Sequence, residues 1–242
     1  MKIIDIHSHF GPTSSGEIPD VSELRKDLDK FGISKVGLSC LSGISTREQN
    51  DLIYELMKSN PDLIEGYAFI NPKDENALSE IDLCLGKYGM NGVKFHSWKQ
   101  GYYPDNRPEL YEIFKLIESY GVHVQMHVGT APLSTPYIWG EYAKQFPNIN
   151  FVFTHTGYYE FGMSSIEVAS KTKNVWVETS GQMDPEILKY SVNKLGSERV
   201  VFGTDWPYKP INIEIEKFNH LGLTNSDLEN IFYKNAEYLW RY

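Results

Sequence analysis

The sequence predicts a (β/α)8 barrel, also called a TIM barrel, formed by a single domain over residues 1–242. Short runs rich in β-branched residues alternate with amphipathic helical patterns from one end of the chain to the other. The length of 242 residues is close to the roughly 250 residues typical of such barrels. A doubly wound open sheet is the alternative, but it usually has a glycine-rich phosphate-binding loop after its first strand, and this sequence has none there.

The alternation divides the chain into predicted strands, each followed by a helical pattern. The strands are predicted at residues 2–9, 35–40, 64–70, 92–96, 122–128, 149–155, 175–179 and 199–204. The helices are predicted at residues 21–31, 46–59, 75–88, 108–120, 137–145, 164–171, 185–195, 212–220 and 226–239. Ser22 is expected to cap the first helix at its start and Gly32 at its end. A strand and a helix in regular repetition are typical of a closed parallel barrel.

The composition excludes several classes of protein. The chain has 23 basic and 32 acidic residues, a formal net charge of −9, and no basic run, so neither nucleic acid nor an anionic membrane is an expected partner. No apolar run approaches the roughly 20 residues that span a bilayer, and the first residues lack the features of a signal peptide. Cys40 and Cys84 are not in a C-x-x-C arrangement and are expected to be buried. We therefore expect a cytoplasmic protein.

The first predicted strand has the composition of a metal site. Side chains of a strand alternate between two faces, which places Asp5, His7 and His9 on one face and Ile4 and Ile6 on the other. A neutral imidazole is the commonest metal ligand, and these two lie one residue apart. The alternative is that both histidines only form hydrogen bonds within the fold.

Other chemically active residues stand where the predicted strands end. In an α/β barrel the active site lies at the C-terminal ends of the strands. Five of the seven histidines end predicted strands. The residues at strand ends are His7, His9, Lys94, His96, His127, His155 and Asp205. His123 begins its strand, so a structural role is expected for it. The pattern predicts one polar site at this end of the barrel.

Four short motifs in this order resemble the amidohydrolase superfamily. They are His7-x-His9, His-Val-Gly at 127–129, Thr-His-Thr-Gly at 154–157 and Gly-Thr-Asp-Trp-Pro at 203–207. The branch most similar is the amidohydrolase-related group that includes aminocarboxymuconate-semialdehyde decarboxylase. The segment 92–96 and the pair Asn235-Ala236 also fit that branch. The resemblance extends from residue 4 to about residue 239, and its motifs are specific for the superfamily but not for a substrate.

The resemblance implies a metal centre and two catalytic residues. His7, His9, His127 and Asp205 would bind one divalent metal ion, with zinc expected and manganese as the alternative. Asp205 would also shuttle a proton, and His155 would orient or activate a metal-bound water. In some amidohydrolases a carboxylated lysine on strand four bridges two metals. Since this branch usually has a single metal, Lys94 is expected to be unmodified and to pair with Asp5 or with a substrate carboxylate.

The substrate is expected to lie beneath the loop that follows strand four. His96, Lys94, Trp98 and Trp206 are the predicted substrate contacts, with Tyr102 as a further flat wall. His96 could instead support the loop. The expected partner is a small molecule, and Lys99 and Arg47 would suit an anionic one. A homodimer is expected from the resemblance alone.

Four functions fit these residues to different degrees. The favoured hypothesis is hydrolysis of a small ester, lactone or amide by metal-activated water. The alternative is non-oxidative decarboxylation of a small unsaturated or aromatic acid, as some relatives perform. A metal-dependent deoxyribonuclease of similar fold would have a glutamate where His96 stands. A barrel that only binds a metabolite would not need the complete ligand set.

Overall fold

The computed structural model contains eight parallel strands that follow one another in chain order around a barrel. It describes residues 1–12, 16–43 and 45–241; the remaining positions of the predicted 1–242 domain lie outside the described residues. The strands are β1 Ile3–His9, β2 Ile33–Ser39, β3 Ile64–Phe69, β4 Gly92–Phe95, β5 His123–His127, β6 Phe151–Thr154, β7 Val175–Glu178 and β8 Val200–Val201. The backbone N–H of Ile6 donates to the Phe202 carbonyl over 3.1 Å, which joins the end of β8 to β1. The predicted TIM barrel is confirmed.

Helices pack around the outside of the strands and fill the connections at the barrel mouth. They are α1 Val21–Phe31, α2 Thr46–Ser59, α3 Ala77–Ile81, α4 Ser97–Gln100, α5 Glu109–Tyr120, α6 Pro136–Gln145, α7 Tyr158–Lys171, α8 Pro185–Leu195, α9 Ile211–Glu216, α10 Asn225–Glu229 and α11 Asn235–Trp240. The predicted helix at 75–88 is shorter, because the chain turns into a π-helix over Asp82–Lys87. Among the described residues, no helix is long and apolar enough to cross a membrane.

The ends of α1 show which local interactions the sequence encodes. Asp20, and not the predicted Ser22, caps the helix, because Asp20 has an extended backbone and its side chain accepts from the Ser22 N–H over 2.8 Å. Gly32 ends the helix with a φ of 70°, as predicted. The cap holds the connection between β1 and β2 at a defined point on the outside of the barrel.

The lower part of the barrel interior is apolar and closed by the C-terminal helix. Ile4, Ile6, Tyr67 and Trp176 form a buried cluster with residues of α11. Tyr67 accepts a hydrogen bond from Trp240 Nε1 over 2.8 Å. His123 packs edge-on against Tyr67 with 5.2 Å between ring centroids, far from the strand ends where the polar residues gather. This layer supports the barrel from below and leaves its upper end for chemistry.

A bulge in β1 changes which side chains face the interior. Asp5 pairs with Val36 of β2 and Ser8 pairs with Leu38, so three steps along β1 match two along β2. Ile4 and Ile6 therefore face the interior below the bulge, and His7 and His9 face it above. The prediction of one face for Asp5 and both histidines is wrong, because strict alternation does not continue across a bulge.

Asp5 stabilises this bulge from the opposite side of the strand. Its carboxylate accepts from the Ser8 hydroxyl over 2.6 Å and from the Thr204 hydroxyl over 2.5 Å. It also accepts from the backbone N–H groups of His7 and Thr204 over 2.9 and 3.0 Å. Burial raises the pKa of Asp5 to about 6, and these hydrogen bonds oppose that shift. The carboxylate thus ties β1 to the segment after β8, where Asp205 lies.

Candidate active site

A cavity of about 280 Å³ opens at the C-terminal ends of the strands. The segments that follow β1, β2, β4, β5, β6 and β8 contribute its walls. The lining residues are His9, Leu41, His96, Trp98, Lys99, His127, His155, Tyr158, Asp205, Tyr208 and Lys209. Four of the predicted catalytic and metal-binding residues therefore line one cavity, and His7 is buried directly beside His9.

Two histidines and one aspartate converge at the floor of this cavity. His7 Nε2 lies 3.1 Å from His9 Nε2. Asp205 Oδ1 lies 3.3 Å from His9 Nε2 and 3.9 Å from His7 Nε2. All three residues are buried. Since each offers one ligand atom toward the same point, the group has the composition of a metal site.

The hydrogen bonds of the two imidazoles show which nitrogen of each ring carries the proton. His9 Nδ1 lies 3.3 Å from the Ser39 carbonyl, which can only accept, so Nδ1 carries the proton. His7 Nδ1 lies 2.8 Å from Glu178 Oε2. Burial lowers the pKa of both imidazoles, which favours their neutral forms. The Nε2 lone pairs of His7 and His9 and a carboxylate oxygen of Asp205 then face one another. A divalent cation bound between them would offset the repulsion among these three acceptors.

Glu178 is a site residue that the sequence analysis missed. It ends β7, is fully buried, and accepts from the His155 N–H over 3.1 Å and the Ser180 hydroxyl over 2.9 Å, as well as from the Ser180 N–H. Burial raises its pKa to about 8, and the hydrogen bonds from Ser180 and His155 oppose this. Because both oxygens already accept N–H donors, the proton shared with His7 resides on the imidazole. The sequence signal that could have identified Glu178 is its position at the end of a strand.

Lys94 lies beneath the metal-binding group and not against Asp5. Its Nζ is 2.9 Å from His7 Nε2, and the side chain is fully buried. Burial lowers the pKa of Lys94 to about 8, while Asp205 and Glu178 act in the opposite direction. The predicted pair with Asp5 is wrong, because both Asp5 oxygens are occupied by other donors.

His127 and His96 form a stacked pair in the wall of the cavity. Their ring centroids are 3.8 Å apart and nearly parallel, and Trp98 lies 6.1 Å from His127 in the same stack. His127 Nε2 lies 3.4 Å from the Thr130 hydroxyl, and among the described residues no metal-binding group includes it. His127 as a metal ligand therefore stays a prediction. His96 Nδ1 accepts from the Lys99 N–H over 3.3 Å, so it also supports the loop.

His155 stands between the two groups of histidines. Its Nδ1 lies 3.1 Å from the Ser180 carbonyl, so Nδ1 carries the proton and Nε2 is the free nitrogen. Its ring is 5.0 Å from the rings of both His7 and His127, and it stacks on Tyr158 at 4.2 Å. His155, His7 and Glu178 form a second group that could hold a cation.

The backbone around these residues is strained. Non-glycine residues with positive φ include His155 at 64°, Thr156 at 46°, Tyr158 at 51° and Asp205 at 59°. Such conformations cost about 1–3 kcal/mol each and cluster at functional sites. Hydrogen bonds maintain them: the Thr156 hydroxyl donates to the Glu178 carbonyl over 2.9 Å, and the Asp205 N–H donates to the His7 carbonyl over 2.8 Å.

Two of the predicted aromatic walls do not reach the cavity. Trp206 is buried in the core, where its Nε1 donates to Asp27 over 3.0 Å, and Tyr208 lines the cavity in its place. The prediction for Trp206 is wrong, because the turn after Asp205 directs the next side chain outward from the barrel axis. Tyr102 is also buried in the core. Trp98 lies in the cavity wall, and its contact with the substrate stays a prediction.

Arg47, suggested as a partner for an anionic substrate, is occupied elsewhere. Its guanidinium lies 2.7 Å from the buried Glu80 carboxylate, which raises the pKa of Arg47. Of the two basic residues proposed from the sequence, only Lys99 lines the cavity.

Comparison with known proteins supports the resemblance found in the motifs. The sequence model of the family described as "Amidohydrolase" matches residues 4–242. Gamma-resorcylate decarboxylase of a Polaromonas species is 20% identical over 269 aligned residues, which cover 88% of this chain and 81% of the relative. The 2-amino-3-carboxymuconate-6-semialdehyde decarboxylase of Dictyostelium discoideum is 25% identical over 200 residues, covering 66% of this chain and 55% of the relative.

Solved structures confirm the fold. The 5-carboxyvanillate decarboxylase of Sphingomonas paucimobilis superposes with a TM-score of 0.82 at 18% identity, covering 99% of each chain. A dihydroxybenzoic acid decarboxylase of Polaromonas, solved with manganese and 2-nitroresorcinol, has a TM-score of 0.77 at 18% identity, covering 99% of this chain and 97% of that one.

These comparisons correct one prediction and support another in part. Hydrolysis as the favoured reaction is wrong, since the named relatives are decarboxylases and match the alternative. A divalent metal is supported by the histidine and aspartate group and by the manganese in a structural neighbour. The choice of zinc stays a prediction.

Proposed function

Because the chain belongs to the amidohydrolase family, we propose that it is a metal-dependent, non-oxidative decarboxylase of a small aromatic or unsaturated carboxylic acid. The observation that carries this proposal is the convergence of His7 Nε2, His9 Nε2 and Asp205 Oδ1 at the floor of a small cavity with flat walls. The relatives named as decarboxylases favour this reaction over hydrolysis.

The donor set suits a divalent ion of intermediate hardness, such as manganese or zinc. Two neutral imidazoles and one carboxylate are ligands that both metals accept. His7, His9 and Asp205 would hold the ion, with His127 as the further predicted ligand. When bound, the metal would bind the substrate carboxylate and stabilise the negative charge that develops as the carbon–carbon bond breaks.

The chain's own residues would position the acid and supply the proton. The reaction replaces a carboxylate on carbon by hydrogen: the bonding electrons stay on the carbon, carbon dioxide leaves, and one proton is added. Asp205, at the cavity floor, would deliver that proton. His155 would accept a hydrogen bond or a proton through its free Nε2, because Nδ1 carries a proton and donates to the Ser180 carbonyl. Lys94, fully buried beside His7, would keep a positive charge below the reacting carboxylate.

The cavity restricts the substrate to a small, flat acid. Its volume of about 280 Å³ is at the lower end for ligand sites. Trp98, Tyr208 and the His96–His127 stack present flat surfaces on which a conjugated ring can lie. The expected partner is therefore a planar small-molecule acid.

A carbon dioxide release assay tests the proposal directly. The protein, loaded with manganese or with zinc, is incubated with a panel of hydroxylated benzoates, and the product is isolated from D2O. We expect carbon dioxide and a product with one deuterium at the vacated carbon. Asp205→Asn should slow release by at least about 100-fold, and Glu160→Gln, an exposed charge change on α7, should not. Hydrolysis of lactones or amides without carbon dioxide from any acid would contradict the proposal.

A further inference from the structure

We propose that Lys99 and Lys209 form an anion-binding site at the rim of the cavity and select a substrate with a second carboxylate, besides the one that it loses. This inference rests on the proposed function and names its substrate class. The two lysines follow different strands, β4 and β8, and both line the same cavity as His9 and Asp205.

The backbone that carries Lys99 is fixed on the barrel. Lys99 lies in α4, the short helix directly after His96. Its N–H donates to His96 Nδ1 over 3.3 Å, and Gln100 Nε2 donates to the Ile70 carbonyl over 3.0 Å. Lys73 Nζ donates to the Gln100 carbonyl over 2.5 Å. The helix is thus held at both ends, which leaves the Lys99 side chain as its free cation at the cavity.

Lys209 reaches the cavity from the opposite wall. The Tyr208 N–H donates to the Asp205 carbonyl over 2.8 Å, which turns the chain back after the aspartate. Lys209 Nζ then lies 5.9 Å from the centroid of the Tyr158 ring, within reach of a cation–π contact. Tyr158 also stacks on His155, so Lys209 is positioned relative to a residue of the reaction site.

Neither ammonium group has a carboxylate partner in the part of the chain that the structure describes. Within residues 1–12, 16–43 and 45–241, no hydrogen bond or carboxylate partner is found for either Nζ. Lys217, buried behind the site, differs in this respect: its Nζ lies 2.5 Å from the Glu214 carboxylate. The carboxylate that lines the cavity, Asp205, faces His9 at the floor. Two cations without partners beside aromatic walls attract an anion.

The cavity is small enough for a single substrate to contact both its floor and its rim. A cavity of about 280 Å³ accommodates roughly one ring with its substituents. With one carboxylate at the floor, a second on the same ring would lie toward the rim, where Lys99 and Lys209 stand. The balanced reaction turns a dicarboxylate and one proton into a monocarboxylate and carbon dioxide. The retained carboxylate is the group that the lysines would hold throughout.

The experiment compares acids that differ by one carboxylate. Binding of benzoate, benzene-1,3-dicarboxylate and benzene-1,4-dicarboxylate to the manganese-loaded protein is measured by calorimetry, for the wild type, K99M, K209M and the double variant. We expect one dicarboxylate to bind at least tenfold more tightly than benzoate. Each substitution should weaken dicarboxylate binding about tenfold, as for a lost hydrogen bond to a charged group, and change benzoate binding less than about threefold. K144M, which removes an exposed lysine paired with Glu141, is the control for charge.

The outcomes separate this inference from the proposed function. Equal affinity for benzoate and both dicarboxylates, or a preference that survives in the double variant, would overturn the lysine site. A lysine-dependent preference without carbon dioxide release from any acid would support the site and contradict the decarboxylase. Carbon dioxide release from monocarboxylic acids alone, with rates unchanged in K99M and K209M, would leave the decarboxylase standing and refute the second carboxylate.

Discussion

Replacing Glu178 with glutamine tests whether the buried carboxylate at the end of β7 holds His7 ready for metal. The side chain keeps its shape, and an NH2 group replaces one of the two carboxyl oxygens. Glu178 Oε2 accepts from the His155 N–H over 3.1 Å and lies 2.8 Å from His7 Nδ1. Glu178 Oε1 accepts from the Ser180 N–H.

The magnitude follows from these contacts. Backbone N–H groups cannot become acceptors, so the glutamine NH2 faces a donor whichever way the amide turns. One buried donor left without a partner should lower the free energy of unfolding by about 1–3 kcal/mol. Where the NH2 replaces Oε2, His7 Nδ1 loses its acceptor and the proton moves to Nε2, which then cannot bind a metal. Loss of such a partner typically weakens metal binding about 10–100-fold.

The assay measures metal affinity and stability separately. Manganese and zinc affinities are obtained by competition with a chelating indicator, and unfolding is followed in urea with and without metal. Glu160→Gln makes the same chemical change at an exposed position of α7 and should alter neither quantity. We expect Glu178→Gln to lower both the metal affinity and the free energy of unfolding.

Two results would refute this reasoning in different ways. The first is a metal affinity within about twofold of the wild type together with lower stability. Glu178 would then be a structural residue that does not determine which nitrogen of His7 carries the proton. The second is an unchanged free energy of unfolding. It would show that glutamine replaces the buried hydrogen bonds without cost, although both oxygens of Glu178 accept backbone N–H groups.

Three further perturbations have expected outcomes that follow from single contacts. Asp205→Asn should reduce bound metal, measured by elemental analysis, and slow carbon dioxide release by at least about 100-fold, while the far-ultraviolet circular dichroism stays unchanged. Burial, with Arg241 nearby, lowers the pKa of His123 to about 4, against about 6.5 in the unfolded chain. Between these two values the unfolded chain binds a proton that the folded protein does not bind. The contribution of His123 to the free energy of unfolding is therefore fully present above about pH 6.5 and is lost as the pH falls. The loss at pH 5 should be about 2 kcal/mol, and His123→Phe should remove that part of the pH dependence of urea unfolding. Gly37→Ala should lower the free energy of unfolding by about 1–3 kcal/mol, because a Cβ there collides with the Tyr67 ring; unchanged urea midpoints would contradict it.

Much of the barrel could be predicted because its elements are encoded locally. Strands such as β6, Phe151–Thr154, are short and largely apolar runs, and several long helices carry their own caps, such as Gly32 at the end of α1. The rule that chemistry lies at the C-terminal ends of strands then predicted that His7, His9, His155 and Asp205 lie close together, since it needs only the order of the elements. Their roles stay predictions.

The bulge in β1 could not be predicted, because its cause lies at the other end of the chain. Alternation within Ile4–His9 is regular in the sequence. The change of face depends on Asp5, which binds Thr204, a residue 199 positions away. The same holds for Trp206 and Tyr208, whose directions depend on the turn that Asp205 makes against His7.

The reaction was predicted wrongly for a different physical reason: the metal ligands do not distinguish hydrolysis from decarboxylation. Both reactions need a divalent ion and a carboxylate that moves a proton, and His7, His9 and Asp205 would serve either. What differs is the surroundings, since a decarboxylase must hold a flat acid with its carboxylate at the metal while the carbon receives a proton. The His96–His127 stack under Trp98 provides such a platform. The register of β4 and β5, which pairs Phe95 with Met126, brings the two imidazoles together, and Trp98 joins them from the segment after β4. Discrimination between the reactions is therefore encoded in loop packing rather than in the ligand motifs.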